Sequence, residues 1–142
     1  MKKFHFSLEK LLKLKEFEEH NAEIELGKAV SELERLNREL EDCAKKRLQA
    51  NKDRSGLNLS DLLVMDRYIT RLDLLSEELM QKIAQAQINV EEKRSVYTEK
   101  LQGRKSISKL EEKQYQVWKK ESLKTEEKSV EDNISSRYAS SL

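Results

Sequence analysis

Proline is absent from this chain, and glycine occurs only at Gly27, Gly56 and Gly103 of 142 residues. Proline removes a backbone donor and clashes with the preceding helical turn, and glycine weakens helix interiors, so their scarcity leaves few places to interrupt a long helix. Cysteine is equally scarce. With Cys43 alone, an intramolecular disulfide is impossible, and a thiol on an apolar seam reads as a small buried hydrophobe. His5 and His20 are the only imidazoles, neither stands in a metal-ligand motif, and no glycine-rich loop cradles phosphate. No catalytic, cofactor-binding or metal-binding residue is therefore assigned. Apolar runs are short as well: none approaches the roughly 20 residues needed to cross a bilayer, and charge returns at Glu9 and Lys10 before a signal peptide can develop. A cytoplasmic protein without direct membrane insertion is expected. The 28 basic and 27 acidic residues nearly cancel, which removes the bulk-charge argument for nucleic acid or an anionic membrane.

What is present is amphipathic periodicity. Charged residues make up 39% and hydrophobic residues 37%, a balance that starves a globular core but suits helices burying one narrow stripe. The one convincing break is Ser55-Gly56-Leu57-Asn58-Leu59-Ser60-Asp61. The fold class is accordingly all-α: two long helices in an antiparallel coiled-coil hairpin, the second longer than the first. A single elongated domain is expected, with helix one over about 5–54, a turn over about 55–60, helix two over about 61–134 and a frayed tail over 135–142. Ser7 is a candidate N-cap for the first helix, with a start near Phe4 equally open, and Ser60 or Asp61 is the candidate for the second. In the first helix Leu26, Ala29, Leu33, Leu36, Leu40, Cys43, Arg47 and Ala50 alternate steps of three and four, as do Leu62, Met65, Ile69, Leu72, Ser76, Leu79, Ile83, Ala86 and Val90 in the second. That average of about 3.5 residues marks a left-handed coiled-coil seam. Partner numbers adding to about 112 (Leu33 with Leu79, Leu40 with Leu72) or about 119 are both open. Upstream, Leu8, Leu12, Ala22 and Leu26 share one register while Leu11, Leu14, Phe17 and Ile24 lie on another, so a stutter or a second contact face is expected. Past Val90 the seam degrades at Lys93, Lys100 and Arg104, and a new frame of Ile107, Leu110, Gln114 and Val117 is read.

Carboxylate pairs such as Glu18-Glu19 and Glu111-Glu112 are plentiful, but a two-helix hairpin has no desolvated pocket to tune them, so they read as solvated faces rather than catalytic groups. The informative excess is apolar. Tyr68 and Leu75 flank the Leu72 and Leu79 seam positions, either shielding the seam or forming a protein-docking strip, and Leu74 lies on the outer face. Tyr115, Val117, Trp118, Leu123, Val130 and Ile134 fall where the longer helix outruns the shorter by some 25 residues, so they are expected to lack an internal partner and to fold against another protein. Residues 100–124 hold eight Lys or Arg against three acids, a local charge of +5. Such a segment suits insertion among acidic loops. Lysines beside a tryptophan also match phosphates and bases, but no nucleic-acid reader motif is present.

The opening Phe4-x-Phe6-Ser7-Leu8-Glu9-Lys10-Leu11-Leu12-x-Leu14-Lys15-x-x-Glu18, the Leu26-Gly27-x-Ala29 step and the stretch Lys105-Ser106-Ile107-Ser108-Lys109-Leu110-Glu111-Glu112-Lys113-Gln114 resemble the flagellar type III export protein FliJ family along nearly the whole chain. The resemblance implies a non-enzymatic hairpin, similar to the central stalk of rotary ATPases, peripherally associated with the inner-membrane export apparatus. Its implied partners are the hexameric flagellar export ATPase, the cytoplasmic domain of the export-gate membrane protein and substrate-specific export chaperones, with no nucleic acid. By the Tyr68-Ile69-x-x-Leu72 pattern the implied gate contact falls on Tyr68, Leu72, Leu75 and Leu79, with Glu39 and Cys43 across the hairpin. Lys46 and Ala50 stand where the family pattern leads one to expect aromatic residues. For the ATPase ring the candidates are Leu8, Leu11 and Leu14 near one terminus and Leu110, Val117 and Trp118 near the other. A generic coiled-coil adaptor acting as a dimer is the competing reading.

Overall fold

The computed structural model describes residues 2–141. Two helices account for the regular structure among them: α1, Glu9–Asp53, and α2, Leu59–Ser141. They pack antiparallel as a helical hairpin with the second helix the longer. Contacts divide the chain into two compact units, His20–Thr98 and Met1–Glu19 together with Glu99–Leu142.

Helix boundaries follow local capping chemistry and differ from the expected ones. Residues 2–6 are non-helical and Ser7 lies in the turn that precedes α1, whose first amide, Glu9 N, donates to Phe6 O at 3.2 Å. At the other end of α1, Arg54 N donates to Ala50 O at 3.1 Å, and Gly56 then takes φ +81°. A left-handed residue just beyond a helix is where glycine escapes the Cβ clash, so this is the one glycine whose conformation demands its identity. The cap of α2 is Asn58 rather than Ser60 or Asp61: its Oδ1 accepts from Asp61 N at 2.8 Å, which satisfies an otherwise orphaned donor and moves the start of the helix to Leu59. Asp61 then sits in the positive first turn. The tail expected to fray from 135 is helical to Ser141, residue 142 lying outside the described residues. No proline or glycine follows Gly103 to end the helix, and the Ser140 and Ser141 hydroxyls donate back to Arg137 O and Tyr138 O at 3.0 and 2.8 Å.

In the unit His20–Thr98 the seam read from the periodicity is the core. Ala22, Ala29, Leu36, Cys43 and Ala50 of α1 and Ile69, Leu72, Leu79, Ile83 and Val90 of α2 are buried. Leu36, Cys43, Leu72, Leu79 and Ile83 form one cluster, with Leu33, Leu40 and Ala86 packed against it. The cross-helix contacts fall between the two expected registers, with the ion pairs beside the second. Cys43 Sγ donates to Leu72 O at 3.2 Å, a contact whose residue numbers add to 115. The pairs Arg47–Asp73 at 2.5 Å and Arg54–Asp66 at 3.1 Å bridge the helices beside the seam, with numbers that add to 120.

In the other unit Phe6 and Leu12 are buried, and Leu8, Leu11, Ile107, Gln114 and Trp118 are half-buried. Only half of the new frame expected in α2 forms. The sheltered positions are Ile107, Glu111, Gln114 and Trp118, whereas Leu110 and Val117 are exposed. Leu12 and Ala22 are buried, Leu8, Leu11 and Leu26 are half-buried, and Leu14, Phe17 and Ile24 face solvent. No break in α1 accompanies the blurred pattern: half-buried Lys15, Glu18 and Glu19 simply occupy inward positions. Long charged side chains fill such positions with their aliphatic stems while the charged ends find counter-ions.

Candidate partner-binding surfaces

The unit that holds both termini brings three aromatic rings together. The Phe4 ring meets Tyr115 edge-on, with centroids 5.3 Å apart, and lies 5.7 Å from Trp118; Tyr115 and Trp118 are themselves stacked at 5.8 Å. Such offset and edge-on pairs are the favoured aromatic geometries. Trp118 was expected to lack an internal partner; the non-helical arm before α1 supplies one. Open space nevertheless borders the arm. A cavity of about 590 Å³ lined by Lys2, Trp118, Glu121 and Thr125, among others, lies beside a second of about 470 Å³ lined by Lys3, Phe4, His5, Lys113, Val117 and Trp118, among others. Both are open to solvent.

Further along this unit the seam is ionic. Arg104 donates to both carboxylate oxygens of Glu19, at 2.5 and 3.3 Å, with Glu19 only 16% exposed. Glu18 lies between Lys100 at 3.5 Å and Lys15 at 3.8 Å; its buried Oε2 accepts no hydrogen bond, so it is balanced by two nearby ammonium charges rather than by close contact. This cluster was hidden in the sequence, where Glu18-Glu19 reads as a solvated pair; the only signal was the interruption of the apolar frame at Lys15, Lys100 and Arg104.

The candidate ring-contact residues separate by exposure. Leu14, Leu110 and Val117 are exposed, at 51%, 36% and 55%, while Leu8, Leu11 and Trp118 are half-buried. The surplus of α2 has about the expected length but begins later, beyond Trp118. Among residues 119–141 only Ser122 is sheltered at all, and Leu123, Val130, Ile134 and Tyr138 are open.

The candidate gate-contact residues belong to the other unit and separate as sharply. Leu72, Leu79 and Cys43 are core residues, closed to any partner while the hairpin is intact. Tyr68 and Leu75 are exposed and share a helix face with Val64, one turn earlier, which the sequence reading left out. Glu39 is exposed and paired with Arg35, which also bonds Glu32. The hydrogen bond to Glu32, then charge attraction from Glu32 and Glu39, hold the Arg35 guanidinium above its usual range, and the same hydrogen bond holds the Glu32 carboxyl below its own. Lys46 pairs with Asp42 at 3.1 Å; that bond, with a smaller contribution from the nearby Tyr68, keeps its ammonium protonated to higher pH than usual. The exposed strip therefore has an aromatic and aliphatic centre with a firmly cationic neighbour. Among the described residues no group of His, Cys, Asp or Glu is placed to hold a metal ion, and no helix is long and apolar enough to cross a membrane.

The sequence matches the family described as Flagellar FliJ protein over residues 4–141, which includes the aromatic arm, the ionic seam and the exposed surplus of α2. The chain belongs to the FliJ family. Among its relatives is the Flagellar FliJ protein of Bacillus subtilis (strain 168), 28% identical over 134 residues that cover 91% of each chain. No solved structure matches. FliJ membership therefore rests on the sequence along nearly its full length, and the hairpin is the form in which this member presents its surfaces.

Proposed function

We propose that this FliJ-family protein is a non-enzymatic component of the flagellar type III export apparatus. It inserts the unit holding both termini into the hexameric export ATPase ring, promotes assembly and activity of the ring, contacts the cytoplasmic domain of the export gate and escorts substrate chaperones. Family membership over residues 4–141 carries the reading. The surfaces described above support it. Exposed Leu14, Leu110 and Val117 stand with half-buried Leu8, Leu11 and Trp118 in the unit that contains the +5 segment 100–124. Apolar side chains within a basic field suit a partner that offers acidic loops around apolar sockets. For the gate, Tyr68 and Leu75 are the contacts, and Leu72, Leu79 and Cys43 act beneath them by holding α2 in place. Glu39 is an accessory at the edge.

The deciding experiment is a pull-down from a flagellated host, asking whether the hexameric export ATPase co-purifies with the tagged chain and whether Trp118→Ala reduces its recovery. Recovery of the ATPase at undiminished yield with Trp118→Ala removes Trp118 from the contact; its absence with the unaltered chain removes the ring assignment.

A further inference from the structure

We propose that residues 2–7 form a displaceable strap that occupies, with its own phenylalanine, a docking site for an aromatic side chain on the Tyr115–Trp118 face of α2. The inference rests on the reading that this unit engages the export ATPase, and it adds that the free protein keeps part of the contact surface covered. Phe4 is the template for the ligand: its ring sits 5.3 Å from Tyr115 and 5.7 Å from Trp118, edge-on to the first and tilted over the second. A partner's Phe, Tyr or Trp entering the same place reproduces those contacts, and Val117, exposed at the margin, widens the landing surface.

Three observations make the strap removable. It is not helical, so its backbone takes no part in the hydrogen-bond ladder of α1; within the described residues the one backbone bond it contributes outside itself is Phe6 O to Glu9 N. Among the described residues no ion pair holds Lys2, Lys3 or His5, and all three are exposed. Cavities of about 590 and 470 Å³ flank it beside Trp118, so the arm crosses the aromatic face without filling the space around it. Phe4 is half-buried and Phe6 buried, which makes Phe6 the anchor and Phe4 the part that lifts. A partner that needs the face must then bind the uncovered fraction of molecules, and its apparent affinity is reduced by that fraction.

Trp118 is the only tryptophan, so its emission reports the cover directly. In the full-length chain, Phe4→Ala is expected to increase acrylamide quenching of Trp118 and shift its emission to the red, with the far-ultraviolet circular dichroism unchanged. The same variant is expected to stimulate the export ATPase at a concentration lower by about threefold or more, as the uncovered fraction rises towards one. The six-residue peptide Lys-Lys-Phe-His-Phe-Ser, added in excess to a chain lacking residues 2–7, is expected to restore the protected emission, and the same peptide with its first Phe replaced by Ala is not. Unchanged quenching in Phe4→Ala overturns the strap. Increased quenching with weaker stimulation overturns it too, because Phe4 is then itself a partner contact. If the unaltered chain fails to stimulate the ATPase, the ring reading falls, and quenching and peptide rescue still decide the strap.

Discussion

Leu79→Ala is the sharpest single perturbation of the hairpin. Leu79 is 2% exposed, the most enclosed apolar residue described, and it joins Leu36, Cys43, Leu72 and Ile83 in one cluster. Truncation removes the burial of about three carbon groups, roughly 2.4 kcal/mol at about 0.8 kcal/mol each. A cavity term adds to this, and a two-helix layer collapses around a void more readily than a globular core. The total is about 3 kcal/mol, towards the lower part of the roughly 2–5 kcal/mol seen for such truncations. Leu75→Ala, at a site 44% exposed in the same turn, costs under about 1 kcal/mol. Cys43 supplies a local readout because the sole thiol is buried in the cluster that Leu79 completes. Where opening and reclosing are fast relative to labelling, a thiol reagent modifies Cys43 in proportion to the open population, so Leu79→Ala accelerates modification by about a hundredfold, each factor of ten being about 1.4 kcal/mol. Urea unfolding followed by circular dichroism gives the matching free energy. A cost for Leu79→Ala under about 1 kcal/mol, or equal effects of the two variants, would refute the seam as described.

Two further predictions concern charge. The Glu32 carboxyl is held below its usual range first by its hydrogen bond with Arg35, with Lys82 adding attraction. A depressed carboxylate contributes stability above its unfolded-state pKa and loses it as pH falls through the depressed value, so the melting curves of the unaltered chain and Glu32→Gln should differ near neutral pH and converge as the medium becomes acid enough to protonate the depressed carboxyl. Parallel curves over that range would show that the pair contributes nothing. In the ionic seam, Arg104→Met leaves the largely buried Glu19 without its bidentate partner and costs about 1–3 kcal/mol, most of which the double variant Arg104→Met with Glu19→Met recovers. A double-mutant cycle on thermal unfolding checks this, and additive costs would contradict it.

The core of the unit His20–Thr98 was legible because its rule is local: apolar residues at steps of three and four mark the buried stripe whatever the partner. Register was not legible, since a heptad pattern repeats itself and only particular cross-helix contacts, here Cys43 with Leu72 and Arg47 with Asp73, narrow the alignment. The cap was misplaced for a similar reason: Asn58, Ser60 and Asp61 are all capable acceptors, and Asn58 is the one the structure brings to Asp61 N. Hydrophobicity also failed to distinguish core from surface among candidate contacts. Leu72 and Leu75 are the same residue type three positions apart, one buried and one exposed. The aromatic cover over Trp118 was invisible to periodicity because Phe4 belongs to no helix, although the Phe4-x-Phe6 pair ahead of α1 is in hindsight its signature.

Stimulation of the purified export ATPase by the full-length chain and by a chain ending at Lys113 tests the central claim most directly. The truncation removes Tyr115, Val117, Trp118 and the exposed surplus of α2, and it leaves the unit His20–Thr98 intact in sequence. Loss of stimulation with the Cys43 thiol still protected is the predicted result. Full stimulation by the truncated chain would contradict the assignment of this unit to the ATPase ring.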